Sequence, residues 1–164
     1  MPKPNSIVPL YPVYKVKLRL SVGDPDMPSS VFHTIIFVET GTHGHGSGMQ
    51  HYVTGDIVQG MHYEAKHCPG HSKSENLYSK ELIGHVEASS YPKEIDKVLR
   101  ALPAPPRQKA FNKSTMRTEP VKSWDPVTFY GPGDVREPLK KCTEWTEDDA
   151  IPALINSGAL VQKK

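Results

Sequence analysis

Cys142 is the residue of this 164-residue chain whose type and setting best suit nucleophilic chemistry. It follows Lys140 and Lys141 and stands where a final helix is predicted to begin. The partial positive charge of a helix N-terminus and two ammonium groups both favour a thiolate over a thiol. Acidic residues that follow, Glu144 first among them, act in the opposite direction. The sequence therefore predicts a nucleophilic cysteine, with an ordinary buried thiol as the alternative.

Two histidines could serve this thiol as its base and as the group that orients the base. A cysteine nucleophile needs a base within hydrogen-bonding distance, and the base needs a third group that holds it. His33 is the candidate base because it lies within a predicted strand, where its position would be fixed. His51 begins the next predicted strand and would lie beside His33 if the two strands were antiparallel neighbours. Either imidazole could instead be an ordinary strand histidine.

A glycine-rich stretch at 41–48 suggests a rival site, because it carries His43 and His45. Further imidazoles and a thiol follow at His51, His62, His67, Cys68 and His71. These groups are ligands for Zn²⁺ and Cu²⁺. Two histidines on a flexible stretch are not preorganised, however, and no Cys-x-x-Cys or His-Glu-x-x-His motif accompanies them. We therefore expect a mobile surface loop, with no metal and no cofactor.

Alternating and apolar segments predict the sheet that would position these residues. Residues 13–22 alternate between apolar and basic side chains, which is typical of a half-exposed strand. Residues 31–38 are apolar on both faces and predict a central, buried strand. Three further strands are predicted at 51–54, 57–66 and 80–88.

Two helices are predicted to cover this sheet. The first spans 92–102, where a proline suits the first turn and apolar side chains recur at helical spacing. The second spans 139–157, with Gly158 in the C-cap position and Pro152 as a kink or a break. Between them, residues 103–138 are rich in proline but also contain aromatic side chains, which predicts an ordered segment wrapped around the domain.

Aromatic residues of this late part of the chain could line a cleft between the sheet and the final helix. They are Trp124, Tyr130 and Trp145. Such a cleft would hold an apolar small molecule or a peptide, with or without catalysis. A third reading is an accessory protein whose proline-rich segment binds a partner.

Composition and charge limit the remaining classes. With 37% hydrophobic residues and a net charge of +2, residues 1–164 are expected to form one domain, whose residues 1–12 form an extended N-terminal arm. No apolar run approaches the ~20 residues that cross a bilayer and no signal sequence is evident, so we expect a cytoplasmic protein without a membrane partner. The basic stretch 93–122 is balanced by acidic residues that follow it, so no nucleic-acid partner is expected. The oligomeric state is left open.

The order of these features resembles that of circularly permuted papain-like domains. The shared features are a histidine on an early strand, a polar residue on the next strand and a late cysteine at a helix start, here Cys142-Thr143-Glu144-Trp145. That superfamily includes permuted amidases and peptidases and the lecithin:retinol-acyltransferase-like proteins. Most of the chain also looks like a group of fungal proteins. The resemblance implies an α+β fold, with an antiparallel sheet of about five strands packed against two or three helices.

The resemblance also implies a reaction, hydrolysis or transfer at an amide or ester of a small molecule or a peptide. Cys142 would attack an acyl carbon, His33 would be the base and His51 the third member. Water or another acceptor would resolve the thioester, and the Cys142 backbone N–H would stabilise the oxyanion. A shift of one residue in strand register would turn His33 to the opposite face of the sheet, away from the thiol.

Overall fold

A computed structural model of the chain describes residues 9–27 and 32–162. In chain order its strands and first helix are β1 Leu10–Arg19, β2 Phe32–Glu39, β3 Gly48–Asp56, β4 Gly60–Cys68, β5 Leu77–Glu87, α1 Lys93–Ala101, β6 Lys109–Asn112, β7 Arg117–Trp124 and β8 Val127–Phe129. A C-terminal helix follows in three consecutive stretches, α2 Cys142–Glu144, a π-helical turn Trp145–Ala150 and α3 Ile151–Ser157. The predicted arm falls mostly on residues 1–8, outside the described residues, and residues 10–12 belong to β1.

The main sheet has five antiparallel strands in the order β4-β3-β2-β1-β5. This confirms the predicted α+β class and its five-stranded antiparallel sheet. The central strand is β2, as its continuous run of apolar residues predicted. Five consecutive side chains of β2 are buried, which requires that both faces of the strand are covered. A second sheet, β6-β7-β8, lies within the proline-rich segment, which was predicted to be ordered but not to contain strands.

The C-terminal helix and α1 cover one face of the main sheet, which we call the helix-covered face. Fully or almost fully buried side chains fill this interface: Val13, Ile36, Val38, Val53, Val86, Ile95, Leu99, Trp145 and Leu154. Lys15 and Lys17 of β1 also lie here, and both pair with Glu147 of the π-helical turn. The face of β1 that its lysines were predicted to expose is therefore covered by the helix.

The opposite face is crossed by residues 69–76, and we call it the loop-covered face. These residues join β4 to β5, the two edges of the sheet, so the connection must pass the strands between them. His71 packs edge-on against Phe37 of β2, with 4.8 Å between the ring centroids. Val16 and Ile35 are completely buried on this face.

The central sheet opens between β2 and β3. Their ladder runs from Glu39 opposite Gly48 to Ile36 opposite His51 and then stops, although both strands continue. The close approach at the paired end requires Gly48, because a Cβ there would lie 2.0 Å from the carbonyl oxygen of Val38. We call the unpaired part the β2–β3 opening.

Side chains of the C-terminal helix fill the β2–β3 opening. Thr146 donates its hydroxyl hydrogen to the carbonyl oxygen of Thr34 (3.3 Å), and the hydroxyls of Thr34 and Thr143 are 2.7 Å apart. The helix thus gives β2 the hydrogen-bond partners that β3 no longer supplies, as buried backbone groups require. Residues 142–157 are helical throughout, and Pro152 follows the wider π-helical turn, which accommodates its missing N–H.

No helix in the described ranges is long and apolar enough to cross a membrane.

Candidate functional site

Cys142 is the first residue of the C-terminal helix and reaches into the β2–β3 opening. The helix begins there because the backbone N–H of Lys141, just before it, is accepted by the Glu144 carboxylate at 2.8 Å. The Cys142 sulfur lies 3.7 Å from the carbonyl oxygen of Phe32, to which it donates. The residue is buried, although 8% of its surface remains accessible to solvent.

Two cavities meet at Cys142. The larger, about 340 Å³, contains Lys109, Lys141 and Glu144 in its wall, and we call it the lysine cavity. The smaller, about 210 Å³, contains His33, and we call it the histidine cavity. Leu20, Lys141 and Cys142 belong to both walls. The thiol therefore lies where the two cavities meet, and each cavity could bind the part of a substrate on one side of a scissile bond.

The Cys142 thiol is not ionised by its helix position as the sequence analysis expected. Burial raises its pKa above the usual value, and the carboxylate of Glu144 raises it further. Hydrogen-bond donors of Thr34 and Thr143 act in the opposite direction without overcoming burial. The prediction of a stabilised thiolate in the resting protein is therefore corrected, because desolvation outweighs the hydrogen bonds that favour the thiolate.

His33 lines the histidine cavity, but its ring belongs to the loop-covered face. It contacts Tyr52 edge-on, with 5.2 Å between centroids, whereas the next residue, Thr34, points to the helix. Burial lowers the pKa of His33, so the imidazole is neutral near pH 7. Between the described residues no hydrogen bond joins the Cys142 sulfur to either predicted imidazole, so the two groups share a cavity without touching.

His51 lies on the helix-covered face and away from both cavities. The register pairs it with Ile36, three residues along β2 from His33, and an odd separation places two side chains on opposite faces. The prediction that the two histidines lie side by side is therefore corrected. Burial lowers the pKa of His51 to about 4, although Asp96 partly offsets this.

A closed set of hydrogen bonds explains why His51 is buried. Its Nδ1 lies 2.6 Å from the Tyr63 hydroxyl and its Nε2 2.7 Å from the Tyr91 hydroxyl. Tyr63 donates to the carboxylate of Asp96 at 2.7 Å, so its oxygen accepts the proton of Nδ1, and Nε2 accepts from Tyr91. This arrangement satisfies every polar atom of the ring and joins β3 and β4 to α1, which is a structural role.

The three predicted aromatic residues do not share a cleft. Trp145 is completely buried in the core beneath the helix, so its predicted contact with a ligand is corrected. Trp124 and Tyr130 line a different cavity of about 250 Å³, where the guanidinium carbon of Arg107 lies 4.5 Å from the Trp124 ring centroid. That cavity contains neither Cys142 nor His33 in its wall.

A cluster of charged residues in the lysine cavity was missed by sequence reasoning. Lys109 lies between Asp24 and Asp26, at 3.1 and 2.7 Å, and Asp24 also pairs with Lys141 at 2.9 Å. Although burial opposes it, hydrogen bonds from these lysines lower the pKa of Asp24 to about 2. The cluster ties the turn after β1 to the residue before Cys142. No local pattern could have predicted it, because 85 positions separate Asp24 from Lys109.

No group of three or more metal-ligating side chains is found within residues 9–27 and 32–162. The glycine-rich stretch is a hydrogen-bonded turn around buried Ser47, whose hydroxyl accepts from the backbone of His43 at 3.1 Å. Cys68 and Cys142 are both free thiols.

Comparisons with curated proteins and with solved structures gave no significant match. The sequence model of one protein family, described as a family of unknown function (DUF6540), matches residues 21–161. This match includes the β2–β3 opening, both lysines of the charged cluster and Cys142. The chain belongs to the DUF6540 family.

Proposed function

We propose that the protein performs thiol-dependent acyl chemistry, hydrolysis or transfer at an amide or ester, with Cys142 as the nucleophile and His33 as the base. The observation that carries this proposal is the position of Cys142 at a helix start, in a strand opening and on the shared wall of two cavities, one of which His33 also lines. The same arrangement supports relating the fold to permuted papain-like domains.

The neutral state of both groups defines the chemistry. A substrate carbonyl would lie beside the sulfur, and the neutral His33 imidazole would take the thiol proton while the sulfur–carbon bond forms. The proton would then pass to the leaving amine or alcohol as its bond to carbon breaks. Water or another acceptor would attack the thioester and regenerate the thiol.

This mechanism requires one side-chain movement. The prediction that His33 faces the thiol is corrected, because its ring lies on the loop-covered face; to act as the base, it would leave its edge contact with Tyr52 and reach through the β2–β3 opening into the histidine cavity, which borders Cys142. Catalytic hydrogen bonds often form only when substrate is bound, so their absence at rest is compatible with the proposal. Hydrogen-bond donors of Thr34 and Thr143 would hold the developing thiolate, and the N–H of Cys142, which has no partner within the helix, would hold the oxyanion.

An acyl-transfer experiment tests the proposal. The full chain is treated with a set of p-nitrophenyl esters, and peptide mass spectrometry locates the acyl group. We expect an adduct on Cys142 that is lost in Cys142→Ser and strongly reduced in His33→Ala. His45→Ala is the matched control, because this histidine is exposed on the glycine-rich turn. Acylation that is absent, or that is equal in His33→Ala and the wild type, contradicts the proposal.

A second candidate function is ligand binding without catalysis, in the same two cavities. The raised pKa of Cys142 and its hydrogen bond to Phe32 favour it, because they describe a thiol held as a structural donor. Saturable binding of an ester or amide without any adduct on Cys142 would support this alternative.

We also infer a cytoplasmic location, since the two described thiols are unpaired and reduced thiols persist inside cells. A fluorescent fusion observed in cells tests it, and a secreted fusion would contradict it.

A further inference from the structure

Cys68, the second free thiol, is paired with an imidazole that the proposed acyl chemistry does not use. It ends β4, and His71 follows three residues later, after Pro69 and Gly70. The sulfur of Cys68 lies 3.6 Å from Nε2 of His71, and the two residues are only 7% and 4% exposed. Throughout 9–27 and 32–162, this is the only thiol–imidazole contact within hydrogen-bonding range.

Two neighbours fix the roles of the atoms in this pair. The side-chain amide nitrogen of Gln50 lies 2.8 Å from Nε2 of His71, and because an amide nitrogen only donates, Nε2 is the accepting atom. The proton of the ring is then on Nδ1, which is buried and has no hydrogen-bond partner. The backbone N–H of Gly70 donates to the Cys68 sulfur at 3.4 Å. The thiol therefore has two acceptors in range, the carbonyl oxygen of Gly70 at 3.8 Å and Nε2 of His71, and Nε2 must release the Gln50 amide before its one lone pair can take the thiol proton.

The unpartnered Nδ1 is a second sign of chemistry here. Buried polar atoms nearly always have partners, so an exception needs an explanation, and a redox or catalytic role is one such explanation. Burial and the ammonium group of Lys80 lower the pKa of His71, so the ring is a neutral proton acceptor. A general base within hydrogen-bonding reach of a thiol is an arrangement that activates a cysteine as a nucleophile.

We propose that Cys68 is a site of reversible oxidation by hydroperoxides, with His71 as the proton acceptor. The sulfur attacks one peroxide oxygen while its proton passes to Nε2 of His71. The oxygen–oxygen bond breaks, and the leaving oxygen takes that proton and departs as water or an alcohol. The thiol is oxidised by two electrons to a sulfenic acid, the peroxide is reduced by two, and cellular thiols reverse the change. Burial of the pair restricts the oxidant to small molecules.

Cys142 serves as an internal control for this site. It is as buried as Cys68, with 8% against 7% exposed, and each sulfur lies near a carbonyl oxygen, that of Phe32 or that of Gly70. Only Cys68 also has an imidazole nitrogen within 3.6 Å. Cys142 also borders two cavities, so a small oxidant reaches it at least as easily, and a preference for Cys68 would be due to the neighbouring imidazole.

The test is competitive labelling of the two thiols in the full, reduced chain. The protein is exposed to hydrogen peroxide in the presence of dimedone, which captures sulfenic acids, and peptide mass spectrometry compares Cys68 with Cys142. We expect about tenfold or more labelling of Cys68 over Cys142 in the folded protein. The ratio should approach unity in urea, where the neighbours of both thiols are removed.

Variants assign the effect to the imidazole. His71→Gln keeps a polar side chain of similar size and should lower the labelling of Cys68 to the level of Cys142. His67→Gln is the matched control, because His67 is exposed and adjacent to Cys68, and it should change nothing. Cys142→Ser should leave the labelling of Cys68 intact, so this result is independent of the acyl chemistry.

Two outcomes overturn the proposal. One is equal labelling of both thiols, or a preference for Cys142, in the folded wild-type protein. The other is a His71→Gln protein that retains its circular dichroism spectrum and its full labelling of Cys68. Should His71→Gln fail to fold, the comparison of folded and urea-unfolded wild type decides alone.

Discussion

The two free thiols occupy opposite faces of one sheet and are almost equally buried, yet their surroundings prepare them for different chemistry. Cys68, on the loop-covered face, contacts an imidazole and a backbone N–H. Cys142, on the helix-covered face, donates to a carbonyl oxygen and borders two cavities. The first has a base at hand, and the second has space for a substrate.

The exposed fraction of a cysteine therefore does not decide its role. Burial and hydrogen-bond partners together set the ease of ionisation, whereas the cavities set the size of molecule that can reach the sulfur. We therefore expect small oxidants to select Cys68 and acyl donors to select Cys142.

The largest effect is expected from Trp145→Ala, which removes the completely buried ring next to the start of the C-terminal helix. The free energy of unfolding should fall by about 3–5 kcal/mol, measured by urea denaturation. Alkylation of Cys142 should become faster because the helix is loosened, while Cys68 is unaffected in the folded fraction. Trp124→Ala is the control, with a loss below about 1 kcal/mol because its ring is 38% exposed. Equal losses in both variants would show that Trp145 does not anchor this face.

Acid should weaken the helix-covered face through His51. Its pKa in the folded protein, about 4, is below the value of about 6.5 in the unfolded chain, so the unfolded chain binds the proton first. Stability is therefore complete above pH 6.5 and is lost as the pH falls toward 4, by about 3 kcal/mol.

Urea denaturation at a series of pH values measures this loss. In His51→Gln the protein should be less stable at neutral pH but should lose less on acidification. His33 and His71, whose pKa values burial also lowers, contribute with the same sign and remain in the variant. An identical pH dependence in the variant and the wild type would contradict the assignment to His51.

Asp24→Asn should weaken the wall of the lysine cavity. The substitution removes one carboxylate from Lys109, which keeps Asp26, and it removes the carboxylate that pairs with Lys141. We expect a loss of about 1–3 kcal/mol in the free energy of unfolding near pH 7. Because the pKa of Asp24 is lowered to about 2, this loss should disappear as the pH falls from about 4 to 2. Asp134→Asn, which breaks an exposed pair with Lys122, should have no measurable effect.

The smallest effect is expected from Thr143→Val, which breaks the 2.7 Å contact with the Thr34 hydroxyl beside Cys142. The stability loss should be about 1 kcal/mol in urea denaturation, and Thr143→Ser should restore most of it. If the hydroxyl also supports the thiolate, Thr143→Val should slow acylation of Cys142 without changing the oxidation of Cys68. A variant that alters both thiols alike would mean that Thr143 acts on overall stability.

The sequence predicted elements whose pattern is local. The apolar run of β2 and the helical spacing of α1 each reflect burial of one element, so composition and period suffice. The predicted start of β3 was three residues late, because a glycine such as Gly48 is typical of a loop. Here the glycine is instead required by the close approach of β2 and β3. Strands β6–β8 were missed, since β6 and β8 are too short to show an alternation and β7 contains Pro120, which argues against a strand.

The candidate site was predictable only in part. The position of Cys142 at a helix start follows from local signals, and the structure places it there. Its raised pKa does not follow from them, because burial depends on how the helix meets the β2–β3 opening. The faces to which His33 and His51 point depend on the register between β2 and β3. The length of the turn between the strands sets that register, and the alternation of residues within each strand does not.

The pairing of Cys142 with His33 can be measured as the rate at which an activated ester acylates Cys142 at neutral pH, compared between the wild type and His33→Ala. We expect His33→Ala to lower this rate by about a hundredfold or more, with no acyl group on Cys68. An unchanged rate in His33→Ala, or an acyl group found on Cys68 instead, would contradict it.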